Sequence, residues 1–146
     1  MRRIILGCGN EFRGDDAAGV LAARRLLKMN LPDTEVRECS GEGAALMNAW
    51  EGFEETIIID AAHGGLAEGE IREWDVTRQP LPSAWRSAST HSFGVIDAIE
   101  LGRVMNRLPQ RLIVIGIGGE HFEAGEPPSE KVKQAIDTVV QQLVSS

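Results

Sequence analysis

The sequence lacks any long apolar run. Its 146 residues contain no uninterrupted apolar stretch of about 18, the length that a helix needs to cross a bilayer. The apolar part of the opening MRRIILGCGN is too short for a secretory signal. We therefore expect a cytoplasmic protein.

Cysteine is scarce, with Cys8 and Cys39 as the whole complement. Two cysteines do not make a disulfide framework, whereas buried reduced thiols are common on strands. Both residues lie in runs that we expect to be strands, so core packing is the expected role of each.

Positive charge is also scarce. The chain has 15 Lys and Arg residues and 22 Asp and Glu residues, which gives a formal net charge of -7. Binding to a nucleic acid backbone requires a basic face. Neither a nucleic acid nor a membrane is an expected partner.

The common motifs of hydrolytic enzymes are missing. The sequence has no G-x-S-x-G elbow for a serine nucleophile and no HExxH pair for a helical zinc protease. Neither cysteine lies in an obviously electropositive loop. Metal-assisted hydrolysis therefore ranks above a serine or cysteine mechanism.

The strand pattern is clear despite these absences. An apolar content of 42% in a chain of this length predicts one core and one domain over residues 1–146. Three continuous β-branched runs are typical of central strands: residues 3–7, 56–60 and 111–117. Two more polar runs suit strands nearer the edges: residues 34–39 and 70–75, the second expected to be antiparallel.

Helical periodicity is strongest near the carboxyl terminus. Ser129 is the expected N-cap there, and the buried face comprises Val132, Ala135, Ile136, Val139, Val140 and Leu143. Two further helices are expected over residues 43–53 and 92–106, the latter with Met105 on its apolar face.

A first helix is expected to begin at Asp15, which is its natural cap. Its apolar stripe would comprise Ala17, Val20, Ala23 and Leu27. Strands that alternate with helices in this way predict an α/β sandwich.

Two predicted loops, residues 76–90 and 118–128, exceed the usual connection of about 4 to 6 residues. They are candidates to border a site or to hold a partner. Trp85 in the first loop is either an exposed anchor for a partner or, as we favour, folded back onto its own domain.

The first strand, glycine loop and helix resemble a dinucleotide-binding fingerprint. The match fails because Phe12 occupies the position of the last glycine. Asp15 and Asp16 also stand at the helix start, where their charges would repel a phosphate. Nucleotide binding is therefore disfavoured.

Three separated side chains are the candidate site: Asp16, Asp60 and His91. If Asp15 caps the helix, Asp16 is free to face a cleft at the carboxyl edge of the sheet. Asp60 follows three isoleucines at the end of a predicted central strand, where open α/β sheets bind ligands. His91 precedes a predicted helix, whose positive end favours the neutral imidazole that ligates metal.

Each of these residues also has a structural interpretation. Asp60 also fits a turn-capping acid, and His91 also fits an exposed residue at a helix start. Sequence spacing alone does not bring the three together. His63 and His121, in glycine-containing loops, are weaker candidates for the same metal-ligand role.

The chain resembles the [NiFe]-hydrogenase maturation endopeptidases. The residues that carry the resemblance are Gly7-Cys8-Gly9-Asn10, Gly14-Asp15-Asp16, Gly19, Ile59-Asp60-Ala61 and His91. The length of the chain and the order of its elements also fit that family.

The resemblance implies a three-layer α/β sandwich of the phosphorylase/hydrolase-like kind, with a twisted, mostly parallel five-stranded sheet between helices. It implies removal of a short C-terminal peptide from the precursor of a [NiFe]-hydrogenase large subunit after nickel insertion. The nickel-contacting acid of the family falls on Asp16, its second carboxylate on Asp60 and its histidine on His91. Ni²⁺ would arrive with the substrate, and Cd²⁺ or Zn²⁺ are expected substitutes in vitro.

The chain departs from the family pattern at two places. Ala17 and Ala18 precede Gly19 where many relatives carry glycine directly after the acidic pair. His121 lies in a loop where relatives often have Gln-Pro, and it is a candidate for an additional ligand there.

Two other functions use the same residues. A non-catalytic module would bind a partner protein and check its metal loading without cutting it. A small-molecule or nucleoside-type hydrolase on a similar sandwich would instead be stabilised by a soluble substrate.

Overall fold

The computed structural model describes residues 2–82, 85, 88 and 92–146. These residues form five β-strands, four α-helices and one 3₁₀ helix. The strands are β1 (Arg3–Cys8), β2 (Thr34–Cys39), β3 (Glu55–His63), β4 (Ile71–Asp75) and β5 (Arg111–Gly119). The helices are the 3₁₀ helix Gly14–Ala17, α1 (Ala18–Leu27), α2 (Gly43–Trp50), α3 (Val95–Val104) and α4 (Glu130–Ser145).

The five described strands form one sheet in the order β2-β1-β3-β5-β4. β4 runs antiparallel to β5, and the other pairs are parallel. The predicted central and edge strands are confirmed. β3 and β5 are longer than predicted because small residues continue their apolar runs, and the two strands pair from Glu55 and Arg111 to His63 and Gly119.

Helices cover both faces of the sheet. Leu46 and Trp50 of α2 and Ile99 of α3 share one apolar core with the sheet, and Leu26 of α1 and Val139 of α4 share the other. Each face buries apolar surface, which is the main stabilising contribution to such a fold. The predicted three-layer α/β sandwich is confirmed.

Two predicted helix faces are wrong at their ends. Leu27 is 56% exposed, whereas Leu26 is fully buried, because one further residue turns by about 100° away from the buried side. Met105 is 49% exposed because α3 ends at Val104 and its backbone leaves the helical path there.

The helices predicted over residues 43–53 and 92–106 are present as α2 and α3, and both are shorter than predicted. The Ser129 side chain caps α4 by accepting a hydrogen bond from the Val132 N–H, and the predicted buried face of α4 is buried. In the described part of the chain, no helix combines the length and the apolar character needed to cross a bilayer. Trp85 is 2% exposed and packs edge-on against Trp74, so it is folded back on its own domain.

Candidate functional site

A tight connection after β1 positions Asp16. The chain leaves β1 through Gly9, whose φ of 140° lies in a region that favours glycine. A Cβ at Gly9 would lie 1.9 Å from the Asp16 carbonyl oxygen, so only glycine fits between the strand end and the 3₁₀ helix. Asp16 is 3% exposed, and Arg13 Nη1 lies 3.4 Å from its Oδ2.

Asp15 is buried and has a different role from the predicted helix cap. Its carboxylate accepts hydrogen bonds from the backbone N–H groups of Glu120, His121 and Ser129. It therefore fixes the loop between β5 and α4, and α1 begins three residues later, at Ala18. The expectation that Asp15 caps its own helix is wrong, because distant backbone donors occupy both of its oxygens.

Asp60 lies within β3 and is fully buried. It follows Ile59, which pairs with Gly7 near the end of β1, and it pairs with Gly116 of β5 on the other side. β3 continues past Asp60 to His63, so the residue is not at the end of its strand as predicted. It lies instead where the neighbouring strand β1 ends.

The charges of Asp16 and Asp60 both influence the pKa of one thiol, that of Cys8. Its interaction with the neighbouring Cys39 thiol is the main reason why the pKa of Cys8 is raised well above its ordinary value. Burial and the negative charges of Asp60 and Asp16 raise this pKa further. The 3₁₀ helix that carries Asp16 packs against β3, which carries Asp60. The fold therefore brings these two acids to the same carboxyl edge of the sheet.

A cavity of about 480 Å³ opens beside Asp16. Phe12, Arg13 and Cys39 also line it, and Phe12 is 71% exposed. An exposed aromatic ring beside a buried acid is suited to bind an extended peptide next to a reactive centre.

His91 lies outside the described residues, so its predicted role stays a prediction. Ala88, three positions earlier, belongs to the described residues, and both its N–H and its carbonyl form hydrogen bonds. Its N–H donates to the Ala61 carbonyl over 2.9 Å, and its own carbonyl accepts from Arg13 Nη1 over 2.9 Å. Ala61 follows Asp60 directly, so the chain shortly before His91 is attached to the surroundings of both acids.

His121 is exposed and its side chain contacts other groups. Its Nε2 lies 3.1 Å from Glu68 Oε2, and Lys131 Nζ lies 4.0 Å from the other oxygen of Glu68. The potential ligand atoms of Glu68, Glu120 and His121 lie within 4.8 Å of one another. The backbone of His121, rather than its imidazole, is bound to Asp15.

His63 ends β3 and its ring packs edge-on against Phe122 at 4.9 Å between ring centroids. The Arg13 guanidinium lies over the same phenylalanine ring, 5.6 Å from the centroid of Phe122. Arg13 was not among the predicted site residues, although its position three residues before Asp16 was a signal for an ion pair.

The donor set suits a divalent metal that brings other ligands with it. Two buried carboxylates supply hard oxygen atoms and negative charge, which a cation would compensate. Of the three predicted ligands, Asp16 and Asp60 lie in the described part of the chain, and their carboxylates could contact such an ion. Their oxygens would leave most coordination positions to other groups.

Comparison with known proteins identifies the family. The family model for hydrogenase maturation proteases matches residues 22–146. A relative from Methanocaldococcus jannaschii is 30% identical, with 94% of this chain and 91% of the relative covered.

Solved structures agree with this result. The [NiFe] hydrogenase maturation protease HybD from Thermococcus kodakarensis has a TM-score of 0.80 and 31% identity, covering 99% of this chain and 98% of its own. The hydrogenase maturating endopeptidase HybD from E. coli has a TM-score of 0.81 at 22% identity, covering 99% and 91%, and supports the fold alone. The chain belongs to the hydrogenase maturation protease family and is a peptidase.

Proposed function

We propose that this protein is an endopeptidase that removes a C-terminal peptide from the nickel-loaded precursor of a [NiFe]-hydrogenase large subunit. The observation that carries the proposal is the convergence of Asp16 and Asp60, two buried acids from separate elements, at one carboxyl edge of the sheet beside the cavity that Asp16 lines. Family membership supplies the class of reaction. The two free thiols, Cys8 and Cys39, suit a reducing cytoplasm, which is the proposed location.

The nickel centre is part of the substrate in this proposal. Asp16, Asp60 and His91 together offer two oxygens and one nitrogen, which is an incomplete set for a transition metal. Cysteines of the precursor would complete the coordination. Specificity then depends on metal occupancy, because a nickel-free precursor would not engage these side chains. Cd²⁺ or Zn²⁺ would bind the same donors in vitro.

Asp16 is the residue best placed for a second role as proton acceptor. It lines the cavity where an extended substrate segment would lie, whereas Asp60 is fully buried. A metal beside it would polarise the scissile carbonyl or activate a water molecule.

The hydrogen bonds of Ala88 support the proposed role of His91 as a metal ligand. Ala88 is bound to Ala61, next to Asp60, and to Arg13, near Asp16. His91 follows Ala88 by three positions in the sequence, so the proposed ligand role needs no long connection from this anchored point.

Mass spectrometry of a nickel-loaded precursor tests the proposal. Incubation with the protein is expected to shorten the loaded precursor and to leave the nickel-free precursor intact. Asp16→Asn should abolish cleavage and still fold. Asp33→Asn, the same change at an exposed position near the opposite edge of the sheet, is the matched control and should cleave normally.

Binding of the loaded precursor without any cut would overturn the enzymatic proposal and favour the module that checks metal loading. Normal cleavage by folded Asp16→Asn would remove this residue from the reaction.

A further inference from the structure

Cys8 and Cys39 lie side by side on adjacent strands. β1 and β2 run parallel, and Cys8 is the register partner of Cys39 at their carboxyl ends. Strands in a sheet are about 4.8 Å apart, which falls within the Cα separation that disulfides bridge. The Gly9 N–H donates to the Cys39 carbonyl over 2.9 Å, which holds the two strand ends together.

The two thiols are neighbours on the same face of the sheet. Both cysteines are free, Cys8 belongs to the apolar core on that face, and Cys39 packs against the same core. Each thiol is the main influence on the other's pKa, which is raised at Cys8 and lowered at Cys39. Arg37 also contributes to the lowered pKa of Cys39.

The two thiols differ in their access to solvent. Cys8 is fully buried, whereas Cys39 is partly exposed and lines the same cavity as Asp16. A small oxidant in the cavity would reach Cys39 first. The buried Cys8 would then be next to the oxidised sulfur, which is the arrangement of redox-sensing cysteine pairs.

We propose that Cys8 and Cys39 form a redox-active dithiol that closes reversibly to an intramolecular disulfide when a peroxide enters the cavity. This proposal does not depend on the proteolytic function. The expected packing role is confirmed, since Cys8 lies in the apolar core and Cys39 packs against it, and the proposal adds a chemical role to that packing.

The chemistry balances in two steps. The Cys39 sulfur attacks one oxygen of hydrogen peroxide, the O–O bond breaks, and the products are a sulfenic acid at Cys39 and one water molecule. The Cys8 sulfur then attacks the Cys39 sulfur, the S–O bond breaks, and the hydroxyl leaves as water with the Cys8 proton. The two thiols lose two electrons to the peroxide, and a dithiol reductant reverses the reaction.

Peroxide treatment of the folded protein tests the proposal. After quenching, the free thiols are alkylated, and intact mass and non-reducing peptide maps are recorded. The unmodified chain is expected to lose two hydrogens and both alkylation sites as a monomer, with Cys8 and Cys39 peptides linked. Dithiothreitol should restore both thiols.

Two variants separate the roles of the cysteines, since the chain has no others. In Cys8→Ala, Cys39 should stop at the sulfenic acid and be captured by dimedone. In Cys39→Ser, the buried Cys8 should resist both peroxide and alkylation until the protein is unfolded in urea.

Three results with the unmodified chain would overturn the proposal. These are a disulfide that forms only in urea, a link between two chains, and over-oxidation of Cys39 while Cys8 stays alkylatable after unfolding. The same holds if both thiols stay free at a peroxide dose that converts Cys39 in Cys8→Ala.

Discussion

Asp15 and His121 exchange hydrogen bonds in both directions. The Asp15 N–H donates to the His121 carbonyl over 2.7 Å, and the His121 N–H donates to Asp15 Oδ2 over 2.9 Å. This contact joins the 3₁₀ helix to the loop after β5, on the opposite side of β3 from β1. The first acid of the pair is therefore structural, and the second, Asp16, is left to face the cavity.

Replacement of Asp15 by asparagine is expected to destabilise the fold. The carboxylate accepts three backbone hydrogen bonds in a buried setting, and the amide of asparagine would turn a donor toward at least one of those N–H groups. Bonds to charged groups contribute about 1.5 to 3 kcal/mol each. We expect the free energy of unfolding in urea to fall by about 2 to 3 kcal/mol.

Asp16→Asn is the matched variant one position away. It loses the Arg13 contact but also removes a buried charge, so its free energy of unfolding should stay within about 1 kcal/mol of the unmodified chain. Equal destabilisation by the two substitutions would contradict the division of roles between these acids.

The sequence was sufficient to predict the sheet and its layers. Continuous β-branched runs and a 3.6-residue periodicity are local signals, and they located all five described strands and the buried face of α4. The ends of elements were less predictable, as Leu27 and Met105 show, because a helix stops where tertiary contacts stop.

The acids of the candidate site could be selected from the sequence, but their contacts could not be predicted from it. Asp16 and Asp60 were recognisable because each acid stands beside an apolar strand or a helix start. The partners of Asp15 lie more than 100 positions away, as the bond between Asp15 and Glu120 shows. The pairing of Cys8 with Cys39 depends on strand register, which spacing along one chain does not reveal.

Gly9→Ala is expected to damage the site through the backbone. A Cβ there would lie 1.9 Å from the Asp16 carbonyl oxygen, so either the strand end or the 3₁₀ helix must move. We expect a loss of several kcal/mol in the free energy of unfolding, measured in urea, and a large loss of precursor cleavage.

Gly52→Ala separates this collision from the cost of an unusual backbone angle. Gly52 also has a positive φ, of 86°, but a Cβ there would meet nothing within 4 Å. It should lower stability by about 1 kcal/mol and leave cleavage unchanged. Similar losses in both variants would show that the contact between Gly9 and Asp16 does not matter.

Arg13 is expected to act as a positioning residue. Its Nη1 contacts Asp16 Oδ2 at 3.4 Å and donates to the Ala88 carbonyl at 2.9 Å, so one guanidinium joins the acid to the segment before His91. Arg13→Met should therefore lower kcat for precursor cleavage by about tenfold or more, because small displacements of reacting groups are costly. Stability should change little, since the side chain is 31% exposed.

Two further variants make the expectation for Arg13 specific. Arg13→Lys keeps the charge but not the planar guanidinium whose Nη1 contacts both acceptors, so it should recover only part of kcat. Arg72→Met removes an exposed arginine that pairs with Glu70 at 3.0 Å and should cleave normally. If Arg13→Met also keeps its full kcat, the contact with Asp16 has no part in orienting the acid, because the methionine can neither pair with the carboxylate nor hold the Ala88 carbonyl.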